Sequence, residues 1–166
     1  MPPTGSVVVG TDGSDESRPA VEFALREAAR RDALLRVVIV AALPDYWAGV
    51  YGMPAMPTPD EVAEDARGAA RAQLDEIRRD HPELAAVPVD VEARTGAPGH
   101  VLVDAAAGAD VLVVGHRGRG ALGSALLGSV GLQCVLHATC PVTIVRPAAV
   151  AEPVPTTEAA VAVAPA

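Results

Sequence analysis

The stretch from Val111 to Ser129, VLVVGHRGRGALGSALLGS, leaves this chain few folds to choose from. It opens on an uninterrupted apolar run, which fits a strand buried on both faces of a parallel sheet. It then breaks at Gly115, Gly118, Gly120 and Gly123, and resumes at Gly128-Ser129 ahead of another apolar-periodic run. Glycine carries no Cβ, so it permits tight turns and lets a ligand come close to backbone. The start of the following helix presents unpaired N–H groups and the positive end of a dipole. Strand, glycine loop and helix start, in that order, make a place for phosphate.

The remaining chain supplies a sheet around that stretch. Ser6 to Gly10 reads as the first strand, with Thr11-Asp12-Gly13-Ser14 as its exit turn. Between Ser17 and Asp32, Val21, Ala24, Leu25, Ala28 and Ala29 recur at helical spacing, with Pro19 in the first turn. The β-branched run Leu34 to Leu43 predicts a second strand covered on both faces. Thr58, Pro59 and Glu61 supply the cap, the first-turn proline and the capping box of a second helix. Its apolar stripe is Val62, Ala66, Ala69, Ala70, Leu74 and Ile77, fading by Asp80. Alternating Val87, Val89 and Val91 predict a third strand to about Ala93, and Pro88 places it at an edge. Val101, Leu102, Ala105 and Ala106 face inward from a short third helix that Gly108 ends. Val111 to Val114, Gly128 to about Ala138, and Val142 to Val145 complete the series as strand, helix and strand.

The expected fold is therefore α/β: one doubly wound, five-stranded parallel sheet with helices on both faces, Rossmann-like. Residues 6–147 form the expected nucleotide-binding domain, residues 1–5 a flexible N-terminus, and residues 148–166 a disordered Ala/Pro-rich tail. A chain of 166 residues is large enough to bury roughly two thirds of its unfolded surface as one domain. A net charge of -8 argues against a nucleic-acid binder, whose affinity rests on neutralising phosphates. Neither a secretory leader nor a membrane span is legible, and Cys134 and Cys140 lack CxxC spacing. The expected location is cytoplasmic, with both thiols free.

Gly118-x-Gly120-x-x-Gly123 matches the dinucleotide fingerprint only formally. That fingerprint follows a first strand and wants an acid about twenty residues on, and His137 to Thr143 holds none. A P-loop is excluded, because all 13 basic residues are arginines and the motif needs lysine. What fits in full is Gly115-x-x-Gly118, nine residues, then Gly128-Ser129, with Thr11-Asp12-Gly13-Ser14 upstream and Cys140-Pro141-Val142 downstream. From about Ser6 to Arg146 the chain resembles the universal stress protein family, in its ATP-binding subclass. The resemblance implies that the glycines and Ser129 hold phosphate and ribose, that Asp12 lies near the adenosine, and that backbone near Ala41 meets adenine. It gives a candidate binding set of Thr11, Asp12, Ala41, Gly115, Arg117, Gly118, Gly128, Ser129 and Val130, with Asp12 also able to hold Mg2+. ATP and Mg2+ are the implied ligands. A homodimer through Val142–Val145 and an unidentified regulatory protein are the implied partners.

Several of these residues have a plainer role open to them. Asp12 suits a turn by side-chain-to-backbone bonding as well as it suits a ribose or Mg2+. Arg117 and Arg119 are phosphate clamps or solvated loop residues. His116 lies in the motif loop, and none of the four histidines has metal spacing. Tyr46, Trp47 and Tyr51 sit in a proline-rich connection after the second strand, where they either close over adenine or cover another surface. Catalytic residues are not legible. The leading reading is an ATP-binding stress-response regulator, with a slow ATPase and a nucleotide-free structural or chaperone-like dimer as alternatives.

Overall fold

The computed structural model describes residues 5–41, 57–116 and 127–147. The aromatic connection, residues 117–126 of the glycine loop and the tail from residue 148 lie outside the described residues. Strands β1 (Ser6–Thr11), β2 (Leu34–Ala41), β3 (Val89–Thr95), β4 (Val111–Gly115) and β5 (Val142–Val145) alternate with helices α1 (Arg18–Arg31), α2 (Pro59–Asp80), α3 (Pro98–Ala105) and α4 (Ser129–His137). The sheet runs β3-β2-β1-β4-β5 and every pairing is parallel. The doubly wound arrangement expected from the sequence is the one observed.

The period of two along each strand divides the core. Val7, Val9, Leu35 and Val37 pack beneath α1 and α2 with Leu25, Leu74 and Ile77. Val8, Val38, Leu112 and Val114 face the opposite way, onto Leu102, Ala105 and Cys134 of α3 and α4. Leu25, Leu35, Ile77 and Leu112 are fully buried, each worth about 1.5–3 kcal/mol relative to exposure. Gly10 lets α3 come this close, because a Cβ there would lie 2.6 Å from Leu102 Cδ1.

The elements follow their sequence signals with two departures. Thr58 Oγ1 accepts the Glu61 N–H at 3.2 Å while Glu61 Oε2 accepts the Thr58 N–H at 2.7 Å, the expected capping box. The Thr58 N–H, and next the Thr58 hydroxyl, donate to the Glu61 carboxyl and hold it below its usual range. Ala29 and Ala69, expected inside, are exposed. Both sit at the margin of their stripe, and alanine gains little from burial. The third strand starts at Val89 rather than Val87, whose N–H is taken by the Leu84 carbonyl in the turn before it. Pro88 does precede an edge strand.

Arg36 on β2 connects the sheet to α3. Its Nη1 donates to the Ala105 carbonyl at 2.9 Å, and its Nη2 donates to Glu92 Oε1 on β3 at 2.7 Å. Arg94 reaches the other carboxylate oxygen, Glu92 Oε2, at 2.6 Å. Partial burial alone would raise the Glu92 carboxyl, but bonds from Arg94 and Arg36 outweigh it and hold the group below its ordinary value. A lowered folded value means that this cluster stabilises above the ordinary glutamate value and loses that contribution as pH falls through the folded value. Glu92→Gln should therefore flatten the acid side of the stability curve, read as urea midpoints between about pH 3 and pH 7. An unchanged acid limb would assign acid sensitivity to other carboxylates.

Candidate functional site

The crevice begins where β1 loses a neighbour. Its register with β4 runs from Val7–Val111 to Val9–Val113 and stops, while its register with β2 continues to Thr11–Ile39. On the far side, β4 stays paired with β5 as far as Gly115–Val145. The last residues of β1 and β4 thus run on without each other, at the point where strand order reverses. Ligands in such sheets bind beyond the strand carboxyl ends at this reversal. Thr11, Ala41 and Gly115, from β1, β2 and β4, all lie at that end of the sheet.

The β1 exit is a built turn. Asp12 Oδ1 accepts the Ser14 N–H at 3.0 Å and the Ser14 hydroxyl at 2.5 Å. Gly13 has φ +73°, a left-handed conformation that glycine adopts without a Cβ penalty. The plainer role open to Asp12, turn formation, is therefore real. The residue itself is half-buried, directly after the end of β1.

Thr11 is buried and its hydroxyl is engaged. Thr11 Oγ1 accepts the Gly13 N–H at 3.0 Å, donates to Gln73 Oε1 at 3.0 Å, and lies 2.8 Å from Ser17 Oγ. Thr11 belongs to the site by position, since its hydroxyl points into protein. Gln73 was not legible as part of this region. The one signal was a polar residue on the buried stripe of α2 between Ala70, Leu74 and Ile77.

Across the crevice, His116 follows Gly115, and its N–H donates to the Val145 carbonyl at 2.8 Å. The His116 carbonyl accepts the Gly128 N–H at 3.1 Å, which closes the two ends of the glycine loop on each other. The sequence presented Gly128 as a ligand donor, but its N–H is spent on this bond. What remains for Gly128 to offer is its missing side chain. It occupies the cap position of α4 at φ -61° and ψ 154°, with no side-chain cap bond. Ser129, the first residue of α4, is exposed, whereas Val130 is half-buried and packs on the second core. Arg117 and Gly118 lie outside the described residues, as do Arg119, Ser124 and the three aromatics. Among the described residues no three His, Cys, Asp or Glu side chains converge as metal ligands. No helix among them is long and apolar enough to cross a membrane.

The model of the universal stress protein family matches residues 4–146. The chain belongs to that family. It is 34% identical over 143 residues to a universal stress protein of Mycolicibacterium smegmatis, covering 84% of this chain and 47% of the relative. Against a universal stress protein of Thermus aquaticus it is 35% identical over 145 residues, covering 85% of this chain and 98% of the relative. The chain thus spans about half the length of its mycobacterial relatives. Among solved structures, a universal stress protein in complex with cAMP superimposes with a TM-score of 0.62 at 29% identity, over 86% of this chain and 97% of that one.

The engaged Thr11 hydroxyl gives a stability prediction for this universal stress protein. Thr11→Val removes the partner of the Gly13 N–H and of Gln73 Oε1, which costs about 1–3 kcal/mol. Urea unfolding should show that loss, while Thr11→Ser, which keeps the hydroxyl, should lose less than about 1 kcal/mol. Equal stability for Thr11→Val would mean that the hydroxyl bonds contribute nothing net.

Proposed function

We propose that this chain is an ATP-binding regulatory module in which residues 6–147 form the nucleotide-binding unit. The observation that carries the reading is the parting of β1 and β4 at the reversal of strand order, with the Asp12 turn on one side and the start of α4 on the other. Phosphate would meet the exposed Ser129 and the glycines from Gly115 to Gly128, among them Gly118, with Arg117 as a clamp. Adenine would lie against backbone near Ala41, and Asp12 would face the ribose or hold Mg2+. With no cluster of three ligands among the described residues, the metal would take most of its shell from phosphate and water, as Mg2+ commonly does. The cAMP complex of a relative at 29% identity supports the adenine-nucleotide class.

Calorimetric titration with ATP and Mg2+, with AMP and cAMP alongside, tests this. Submillimolar binding that depends on the phosphate chain is expected. Gly118→Val should abolish it in a folded protein, and Asp12→Asn should weaken its Mg2+ dependence. Absence of binding after removal of copurified nucleotide would leave a structural dimer as the better reading, and steady turnover above a metal-only blank would favour the slow ATPase.

The regulatory form is a homodimer built on Val142–Val145. Among the described residues strand β5 is paired only with β4, which leaves its outer edge for a second copy. Next to it, α4 exposes Leu132, Val135 and Leu136 at helical spacing, with Leu136 66% exposed. That stripe continues the sheet edge and gives a second copy something apolar to cover. Leu136→Glu should leave monomer stability within about 0.5 kcal/mol and weaken dimerisation at least about tenfold in sedimentation. A monomeric wild-type chain would remove this part of the reading.

A further inference from the structure

Gln73 is a polar residue at a core position, 7% exposed, on a helix that contributes no residue to the candidate site. A buried amide is tolerated when its donors and acceptor are matched, and those matches then fix its position. Among the described residues its partners belong to one short segment. Gln73 Oε1 accepts from Thr11 Oγ1 at 3.0 Å, and Nε2 donates to the Ser14 carbonyl at 2.8 Å and to Ser17 Oγ at 3.3 Å. Residues 11, 14 and 17 are the end of β1, the turn that contains Asp12, and the cap of α1. Ser17 Oγ donates back to the Ser14 carbonyl at 2.8 Å. A second tie lies nearby, where Arg18 at the start of α1 pairs with Glu76 and Asp80 of α2.

We infer that Gln73 is a positioning residue: from α2 it fixes the Thr11–Ser17 turn and thereby sets the direction in which Asp12 presents its carboxylate to the nucleotide. The inference rests on the nucleotide reading of the crevice. It also gives α2 a part in binding without touching the ligand. The amide bonds both ends of the turn, so neither its Thr11 side nor its Ser14 side can shift without breaking a buried bond. A turn that spends only a fraction of its time in the competent arrangement binds with affinity reduced by that fraction.

The test pairs a local with a functional readout on the full chain. Amide exchange at Gly13 and Ser14 reports turn order, with Val8 and Val9 of β1 as internal controls. Gln73→Leu keeps the bulk and removes every hydrogen bond. Gln73→Glu keeps the shape and the acceptor for Thr11, but turns an oxygen towards the Ser14 carbonyl. The expected result is exchange at Gly13 and Ser14 faster by about tenfold or more, unchanged controls, and ATP affinity lower by a similar factor. If Gln73→Leu fails to fold, Gln73→Glu decides on the same criteria. Unchanged exchange at Gly13 and Ser14 in a folded variant overturns the inference. So does faster exchange with ATP affinity within about twofold of the wild type. A wild-type chain that binds no ATP overturns the nucleotide reading and this inference with it, an outcome distinct from equal binding by wild type and variants.

Discussion

Strand β1, at the centre of the sheet, loses its two neighbours at different heights. Its pairing with β4 ends at Val9, and its pairing with β2 persists to Thr11. That inequality follows from the reversal of winding between β2 and β4. Crossovers before it place α1 and α2 on one face, and crossovers after it place α3 and α4 on the other. Connections on opposite faces diverge, so the carboxyl ends of β1 and β4 cannot both be covered. Everything the candidate site uses is positioned by this divergence: the Asp12 turn, the end of β4 and the start of α4.

The polar groups at that end are satisfied mostly by protein. Thr11, Ser17 and Gln73 bond one another in the interior, Asp12 Oδ1 bonds Ser14, and the Gly128 N–H bonds His116. A crevice lined this way has little freedom to relax around a ligand. Preorganisation of this kind reduces what binding must order.

The architecture was legible because each element carried an independent signal. Thr58 and Glu61 announced α2, alternating valines announced β3, a β-branched-rich run announced β2, and an uninterrupted apolar run announced β4. Composition at single positions misled where the energy at stake was small, as at Ala29 and Ala69. The glycine spacing pointed to the crevice and to the family. What the sequence could not disclose was pairing over distance. Nothing local ties Gln73 to Thr11, since the bond depends on α2, packed on β2 and β3, reaching the end of β1. Nor could spacing tell whether the Gly128 N–H faces a ligand or the His116 carbonyl, since both use the same residue type. Only the fold decides.

The bond from Gly128 to the His116 carbonyl has a further consequence. It ties the residue that follows β4 to the residue that precedes α4, so the two elements are held together across the segment between them. Loop closure entropy changes slowly with length, by about 0.6 kcal/mol for a doubling. A change in the length of that segment therefore costs little entropy while this bond holds.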